Sequence, residues 1–320
     1  MSNKHALICG ISGQDGAYLA KLLLEKGYEV TGTSRDAMAN SFKNLRQLGI
    51  FDQVRTVSMS LIDFGSVVTT IKSVAPDEIY SLAGQTSVGL SFEQPVETME
   101  SISMGTLHLL EAIRFLERPI RYYSAGTSEC FGDIGDLSAT EETSFKPQSP
   151  YAVAKVSAHH LVSNYRNAYG LFVCTGILFN HESSLRPERF VTQKIVRTAA
   201  RIANGSGETL RLGNMDIFRD WGWAPEYVKA MWLMLQQNNP EDFIIATGKT
   251  VSLSHFVSRA FAYFGLDWNK YVVSDPALCR PSDIRVGRGN PARAKAILGW
   301  EAQTDVDAVV DLMCEAAAVL

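Results

Sequence analysis

The sequence predicts an α/β fold: a doubly wound parallel sheet covered by helices on both faces, with a smaller α/β lobe interleaved along the chain. Three observations predict it. Short β-rich runs alternate with helical patterns through the first half, three glycines punctuate the first strand–helix junction, and after Asn180 the rhythm loosens before it resumes. Alternation of this kind builds right-handed βαβ units, which assemble into a parallel sheet.

The run ALICGI (6–11) reads as the first strand. In AYLAKLLLEKG (17–27) the leucines recur at helical spacing and Gly27 supplies a stop. YEVTGTS (28–34) is the second strand and precedes a helical stretch ending at Gly49. VRTVSM (54–59) leads into FGSVVTTIKSVA (64–75), and DEIYSLAG (77–84) into a long helical segment, 96–116. IRYYSAG (120–126) precedes the helix of SPYAVAKVSAHHLVSNYRNAYG (149–170), and LFVCTGILF (171–179) follows as a strand. Beyond it lie a polar loop (181–189), a helix (190–204) and the short strand ETLRLGN (208–214). Helix 225–238 and strand DFIIATG (242–248) return to the main sheet, whereas GNPARAKAILGW (289–300) and the final helix belong to the second lobe. With no repeat and no linker-like tract, the two units interleave. We expect a dinucleotide-binding domain from 1–178 plus about 217–250, and a substrate lobe from about 179–216 plus 251–320.

The chain has 320 residues, 46% hydrophobic and 20% charged, enough to bury a substantial core. A net charge of -4 without a Lys/Arg run argues against a nucleic-acid or anionic-membrane surface. Five widely spaced cysteines with no C-x-x-C suit a reducing compartment, not disulfides or zinc. The early residues lack the pattern of a signal peptide and no apolar run reaches membrane-span length, so we expect a cytoplasmic protein. No metal site is expected.

GISGQDG places Gly10, Gly13 and Gly16, with Gln14 and Asp15 between them, at the junction of the first strand and helix. A dinucleotide needs there a tight turn, close backbone approach to its pyrophosphate and free N–H groups at a helix N-terminus. The spacing G-x-x-G-x-x-G at this junction therefore reads as a Rossmann-type cofactor site, where three glycines elsewhere would read as a turn. The second strand ends in Thr33-Ser34-Arg35-Asp36. NAD sites carry an acid there for the ribose 2′-hydroxyl, whereas Ser34 and Arg35 suit a 2′-phosphate, so NADP is favoured. Asp36 comes late for the NAD role and reads alternatively as a helix N-cap.

SPYAVAK places Tyr151 and Lys155 four apart, on one face of a helix whose first position suits Pro150. An ammonium beside a phenol favours the phenolate, which can take a proton from a sugar hydroxyl. Such pairs are usually solvated helix faces; the position after the fifth strand, downstream of Thr127, gives this one weight.

GxxGxxG, Thr127 at a strand end and the Tyr151/Lys155 pair together resemble the extended short-chain dehydrogenase/reductase superfamily. GISGQDGAYLAKLLLEKGYEV, GTLHLLEAIR, TSECFG, SPYAVAK, NYRNAYGLFVCTGILFNHES, RDWG, YVKAMWLMLQQ, IIATG and CRPSD narrow the resemblance to the GDP-mannose 4,6-dehydratases over nearly the whole chain. The resemblance implies a redox cycle without net oxidation: hydride leaves C4 of the hexose for NADP⁺ with Tyr151 as base, supported by Lys155 and Thr127. Glu129 then takes the C5 proton, water leaves C6 and hydride returns to C6, giving GDP-4-keto-6-deoxy-mannose. It further implies cofactor contacts at Asp63, Leu82 and Ala83 and substrate contacts at Thr86, Asn180, Lys194, Arg219, Arg280 and Asp283. A homodimer or homotetramer is implied, with a GDP-sugar as the partner molecule. Without the family match, Arg219 would be read as paired with Asp220 and Lys194 as a surface residue; His181 and Glu182 read as loop braces.

The chain departs from the family pattern at several points. Only Arg35 remains of two adjacent arginines tied to cofactor binding and tetramer assembly, and Met59-Ser60 replaces Gly-Asp. Gly84 and Thr86 alter an Ala-Ala-Gln-Ser stretch, Ser87 stands where a larger side chain is common, and Ser124 and Gly126 replace Gln and Ser. The alternatives are a dehydratase of another GDP-sugar such as GDP-manno-heptose, a nucleotide-sugar epimerase or reductase (which generally lacks the Glu129 carboxylate), and a silent NADP-binding subunit.

Overall fold

The computed structural model describes residues 3–318. The apolar strand β1 (His5–Cys9) has four of its five residues buried, and α1 (Gln14–Glu25) lays Ala17, Ala20 and Leu23 into the core beside it. β2 (Glu29–Ser34) pairs parallel with β1. The helical stretch expected to reach Gly49 is only the five-residue α2 (Lys43–Gln47). Residues ahead of it form a turn instead, because Asp36 Oδ1 accepts from the Met38 and Ala39 N–H groups (2.9 and 3.1 Å) and Asn40 Oδ1 from Phe42 (2.8 Å). Short Asx side chains offer the backbone partners that compete with a helix.

β3 (Arg55–Ser58), α3 (Phe64–Val74) and β4 (Glu78–Ser81) continue the alternation. After α4 (Val88–Glu93), α5 (Pro95–Met99) and α6 (Gly105–Leu116) are joined by a π-helical turn at Glu100–Met104, so the segment expected at 96–116 is helical throughout but widened midway. β5 (Arg121–Ala125), α7 (Pro150–Tyr169) and β6 (Val173–Leu178) follow, then β7 (Asn180–Glu182), α8 (Val191–Ala203) and β8 (Leu210–Leu212). Next come β9 (Phe218–Arg219), β10 (Trp221–Trp223), α9 (Ala224–Leu235), β11 (Phe243–Ile245), β12 (Val251–Ser252), α10 (Leu253–Tyr263), β13 (Val272–Ser274) and α11 (Val306–Ala318).

Seven strands form the central parallel sheet in the order β11-β6-β5-β4-β1-β2-β3. The order reverses direction between β1 and β4, the crevice where ligands bind in open α/β sheets. One core cluster lies on the α1/α9 face and includes Ile8, Leu23, Tyr123, Met231 and Phe243; another lies on the α3/α6/α7 face and includes Leu7, Ile71, Leu110, Tyr122 and Val162. Each fully buried aliphatic side chain contributes roughly 1.5–3 kcal/mol. A third cluster packs α8, α10 and α11 around Ile195, Leu210, Phe256 and Met313. Three two-stranded sheets, β7 with β10, β9 with β12 and β8 with β13, lie outside the central sheet. Ala294, Leu298 and Trp300, in the tail read from sequence as second-lobe material, insert into the α1/α9 cluster.

Candidate active site

The turn after β1 is built so that only glycine fits. Gly10 has φ +86°, and a Cβ there would lie 2.9 Å from the backbone of Ala83, the segment leaving β4. A Cβ on Gly16 would sit 2.5 Å from the Gly10 carbonyl oxygen. Gly13 is the N-cap of α1 and no side chain caps that end, so the first-turn N–H groups are free for an anion. A dinucleotide pyrophosphate fits this cradle. Gln14 spends its side chain internally, donating to the His181 carbonyl (3.2 Å) and accepting from Ser183 (2.8 Å).

Asp15 is tied to His181 Nε2 at 2.9 Å, while His181 Nδ1 lies 2.7 Å from the Phe179 carbonyl. Both ring nitrogens face acceptors, an arrangement that favours the protonated imidazole, which can donate to both. Burial pushes the Asp15 carboxyl up and the His181 imidazole down. Their mutual attraction reverses both, leaving Asp15 below and His181 above its ordinary value. His181 and Glu182 are thus braces: Glu182 accepts from Thr192 (2.7 Å) and pairs with Arg186 (3.2 Å).

Of the other residues expected on the cofactor side, Ser34, Arg35, Asp63 and Ala83 are not among those lining the main cleft. Ser34 Oγ accepts from Asn40 (3.0 Å), Arg35 is 81% exposed, and Asp63 caps α3 through Ser66 (3.0 Å). Leu82 borders the main cleft.

Thr127, two residues beyond β5, caps a single 3₁₀ turn, its hydroxyl accepting from the Glu129 N–H at 3.3 Å. That turn sets Glu129 on the wall of the main cleft. Across the cleft, Ser149 caps α7 by accepting from Ala152 (3.1 Å) and Pro150 takes the first helical position, which fixes the face carrying Tyr151 and Lys155. Lys155 Nζ donates to the Ala125 carbonyl (2.6 Å) and lies 5.9 Å from the centre of the Tyr151 ring. Thr127, Glu129, Tyr151 and Lys155 all line one cleft of about 360 Å³, shared with Asp15, Leu82, Thr86, Asn180, Lys194, Arg219 and Arg280.

Burial sets the electrostatics of this cleft. It raises the Glu129 carboxyl, with Arg219 and then Arg280 pulling it back. It raises the Tyr151 phenol, with Thr127 opposing, and lowers the Lys155 ammonium to about 8. A carboxyl held above its ordinary value, a phenol and a softened ammonium on one wall are a proton-handling set.

The far end of the cleft is cationic. Arg219, only 5% exposed, pairs with Asp283 at 3.2 Å, and Arg280 approaches the same carboxylate at 3.7 Å. The Asp220 partnership is therefore not made. Asp220 accepts from the Thr247 and Gly248 N–H groups (2.9 and 2.8 Å), and burial raises its carboxyl to about 6. Lys194 Nζ donates to the Arg211 carbonyl (2.7 Å) while facing the cleft. Three further cations, Arg186, Arg189 and Arg211, line the same cleft and escaped the sequence reading. The signal available was Arg186 and Arg189 in the polar loop, close ahead of Lys194 in the expected helix.

A search of family models matches residues 7–313 to the model described as GDP-mannose 4,6 dehydratase. The chain belongs to the GDP-mannose 4,6-dehydratase family. It is 43% identical to the GDP-mannose 4,6-dehydratase of Yersinia enterocolitica serotype O:8, over 95% of this chain and 91% of that protein. It is also 43% identical to GDP-mannose 4,6 dehydratase 2 of Arabidopsis thaliana, over 98% and 86%. Among solved structures, the UDP-glucose 4-epimerase of Thermus thermophilus in complex with NAD superposes with a TM-score of 0.86 at 23% identity, covering 98% of both chains; this likeness speaks to the fold. Family membership and the parallel sheet agree with the expectations raised by the sequence.

Proposed function

We propose that this chain is an NADP-dependent 4,6-dehydratase of GDP-mannose, a hydro-lyase yielding GDP-4-keto-6-deoxy-mannose. The observation that carries the proposal is that Thr127, Glu129, Tyr151 and Lys155 share one cleft with a cationic end. When bound, the nicotinamide dinucleotide supplies the hydride acceptor and, later, the donor. Gly10, Gly13, Gly16 and the α1 N-terminus would hold its pyrophosphate, Leu82 and Ala83 its flank, Ser34 and Arg35 its 2′-phosphate, and Asp63 its adenine side.

Tyr151 takes the proton of the C4 hydroxyl; Thr127 and then Arg186 oppose the burial that raises its phenol, while the Lys155 ammonium, expected from the sequence to favour the phenolate, is held on the Ala125 carbonyl beside it. The 4-keto group then acidifies the C5 proton, which Glu129 removes. Glu129 returns a proton to the C6 hydroxyl, which departs as water and leaves a C5–C6 double bond for reduction. Proton removal and donation by one group require a carboxyl whose proton affinity is raised, as burial does for Glu129. Lys194, Arg219 and Arg280, with Asn180 and Thr86, meet the diphosphate and sugar. Asp283 orients the two arginines beside the guanosine ribose.

Residues 3–178 with about 217–250 form the cofactor half, and 179–216 with 251–318 the substrate half, apart from Ala294, Leu298 and Trp300, which pack into the cofactor half's core. We assign a homodimer or homotetramer and a cytoplasmic location; no described helix is long and apolar enough to cross a membrane. A second reading, a larger GDP-sugar such as GDP-manno-heptose, draws on Ser87, which borders the cleft and uses its hydroxyl to cap α4 through Leu90 (3.3 Å).

The test is incubation with GDP-mannose, with and without added NADP⁺, followed by mass spectrometry for loss of one water. Dehydration of GDP-mannose is expected. Loss of water from GDP-manno-heptose alone moves the assignment to the second reading, and none from any GDP-hexose or GDP-heptose overturns it.

A further inference from the structure

A carboxylate stands at the 2′ end of the cofactor crevice without a part in the chemistry. Arg35 leaves β2 with its side chain 81% exposed, and its ion pair is with Glu97 of α5, Nη2 to Oε1 3.9 Å, itself 45% exposed. The backbone beyond Arg35 is braced: Ser58 Oγ accepts from the Ala37 N–H (2.9 Å), and Asp36 Oδ1 accepts from Met38 (2.9 Å). Arg35 thus leaves a braced backbone with its exposed side chain across from Glu97 of α5. A long ion pair with both ends in water adds little to stability, so it is not explained as a staple. Its consequence is electrostatic, because any anion that Arg35 grips at this strand end arrives within a few ångströms of the Glu97 charge.

We propose that Glu97 sets cofactor selectivity, competing with the 2′-phosphate of NADP for Arg35 and keeping the preference over NAD narrow. The inference rests on the reading that Arg35 receives a 2′-phosphate. The two cofactors differ at this position by a phosphate carrying almost two negative charges against a neutral hydroxyl. Repulsion by Glu97 therefore falls on NADP alone. At 3.9 Å the Glu97 carboxylate makes no hydrogen bond to the guanidinium, so its effect on a phosphate held there is that of a nearby like charge. This repulsion acts well within a Debye length and is weakened by salt.

The test measures dissociation constants of NADP⁺ and NAD⁺ by calorimetry on the full chain, for the unaltered protein, Glu97→Gln and Arg35→Gln. Glu97→Gln is expected to tighten NADP⁺ by about three- to tenfold at low salt and to leave NAD⁺ within about twofold, the gain shrinking as salt rises. Arg35→Gln is expected to weaken NADP⁺ and spare NAD⁺. Unchanged NADP⁺ binding in Glu97→Gln, or equal tightening of both cofactors, overturns the selectivity role while leaving the 2′-phosphate reading standing. Unchanged NADP⁺ binding in Arg35→Gln overturns that reading and the proposal with it. Both side chains are exposed, so neither change threatens folding.

Discussion

In the proposed reaction Glu129 is the residue that separates this site from one that only oxidises and reduces, and its setting can be measured. Replacing it with Gln removes the base while keeping the volume. The Glu129→Gln variant is expected to oxidise C4, visible as reduced cofactor absorbance on the enzyme, yet to lose dehydration by at least about a hundredfold. Normal dehydration by that variant would refute the role. The pH dependence follows from the direction of the shift. Burial raises the Glu129 carboxyl, so ionised base is lost on acidification at a higher pH than for an ordinary carboxylate. The acid limb of the kcat/KM profile is accordingly displaced upward. Arg219 is the first of the groups opposing that rise, so Arg219→Gln should move the limb higher still, alongside its effect on binding. A limb that stays in place in Arg219→Gln removes the coupling. Thr127, Glu129, Tyr151 and Lys155 were legible in the sequence because each pair sits within one short motif at a strand end or helix start. The Arg219–Asp283 contact was not, since its partners stand 64 positions apart and Asp220 is the nearer acid in the chain.

At the scale of elements, the β1–α1 junction and the start of α7 hold the site, and both depend on local chemistry that a sequence displays. Gly16 packs where a Cβ would lie 2.5 Å from the Gly10 carbonyl and 2.6 Å from the Ile11 Cα, all of it backbone. Gly16→Ala must therefore shift the turn itself, not a side chain. Overpacking of this kind costs about 1–3 kcal/mol, read as a lower midpoint in urea. It should weaken dinucleotide binding as well, and wild-type stability together with wild-type binding would show the turn to be slack. At α7, Ser149→Ala removes the cap and is expected to cost about 1 kcal/mol. It frees the turn that carries Tyr151, so dehydration should fall by more than the loss of folded protein accounts for. Activity tracking the folded fraction would confine Ser149 to stability. Short elements were less legible than these junctions. The helix expected to run to Gly49 shrank to Lys43–Gln47 because Asp36 and Asn40 capture backbone N–H groups locally, a competition that hydrophobic periodicity does not register.

Across the whole molecule, the interleaving legible in the loosened rhythm after Asn180 raises the question of what ties the cofactor turn to the segment beyond β6. The clearest tie is buried: Asp15 at the start of α1 binds His181 of β7, and His181 stacks on Tyr227 of α9 with ring centres 4.5 Å apart. Arg186 is the other charge acting on the imidazole, and it opposes protonation. The folded His181 is raised above its unfolded value of about 6.5. Its contribution to stability is thus fully present below that unfolded value and lost as pH rises through the folded one. Asp15 is lowered, so its contribution holds above the unfolded carboxylate value of about 3.9 and disappears on acidification. The tie is strongest between these limits. Thermal unfolding followed from pH 6 to pH 9 should show a midpoint that declines in the unaltered protein more than in His181→Gln, by roughly a few degrees. The comparison cancels other titrating groups that the two proteins share, and the general destabilisation expected from replacing a buried ring lowers both ends alike. Equal slopes would mean that His181 is neutral when folded, with one of its two acceptors unserved.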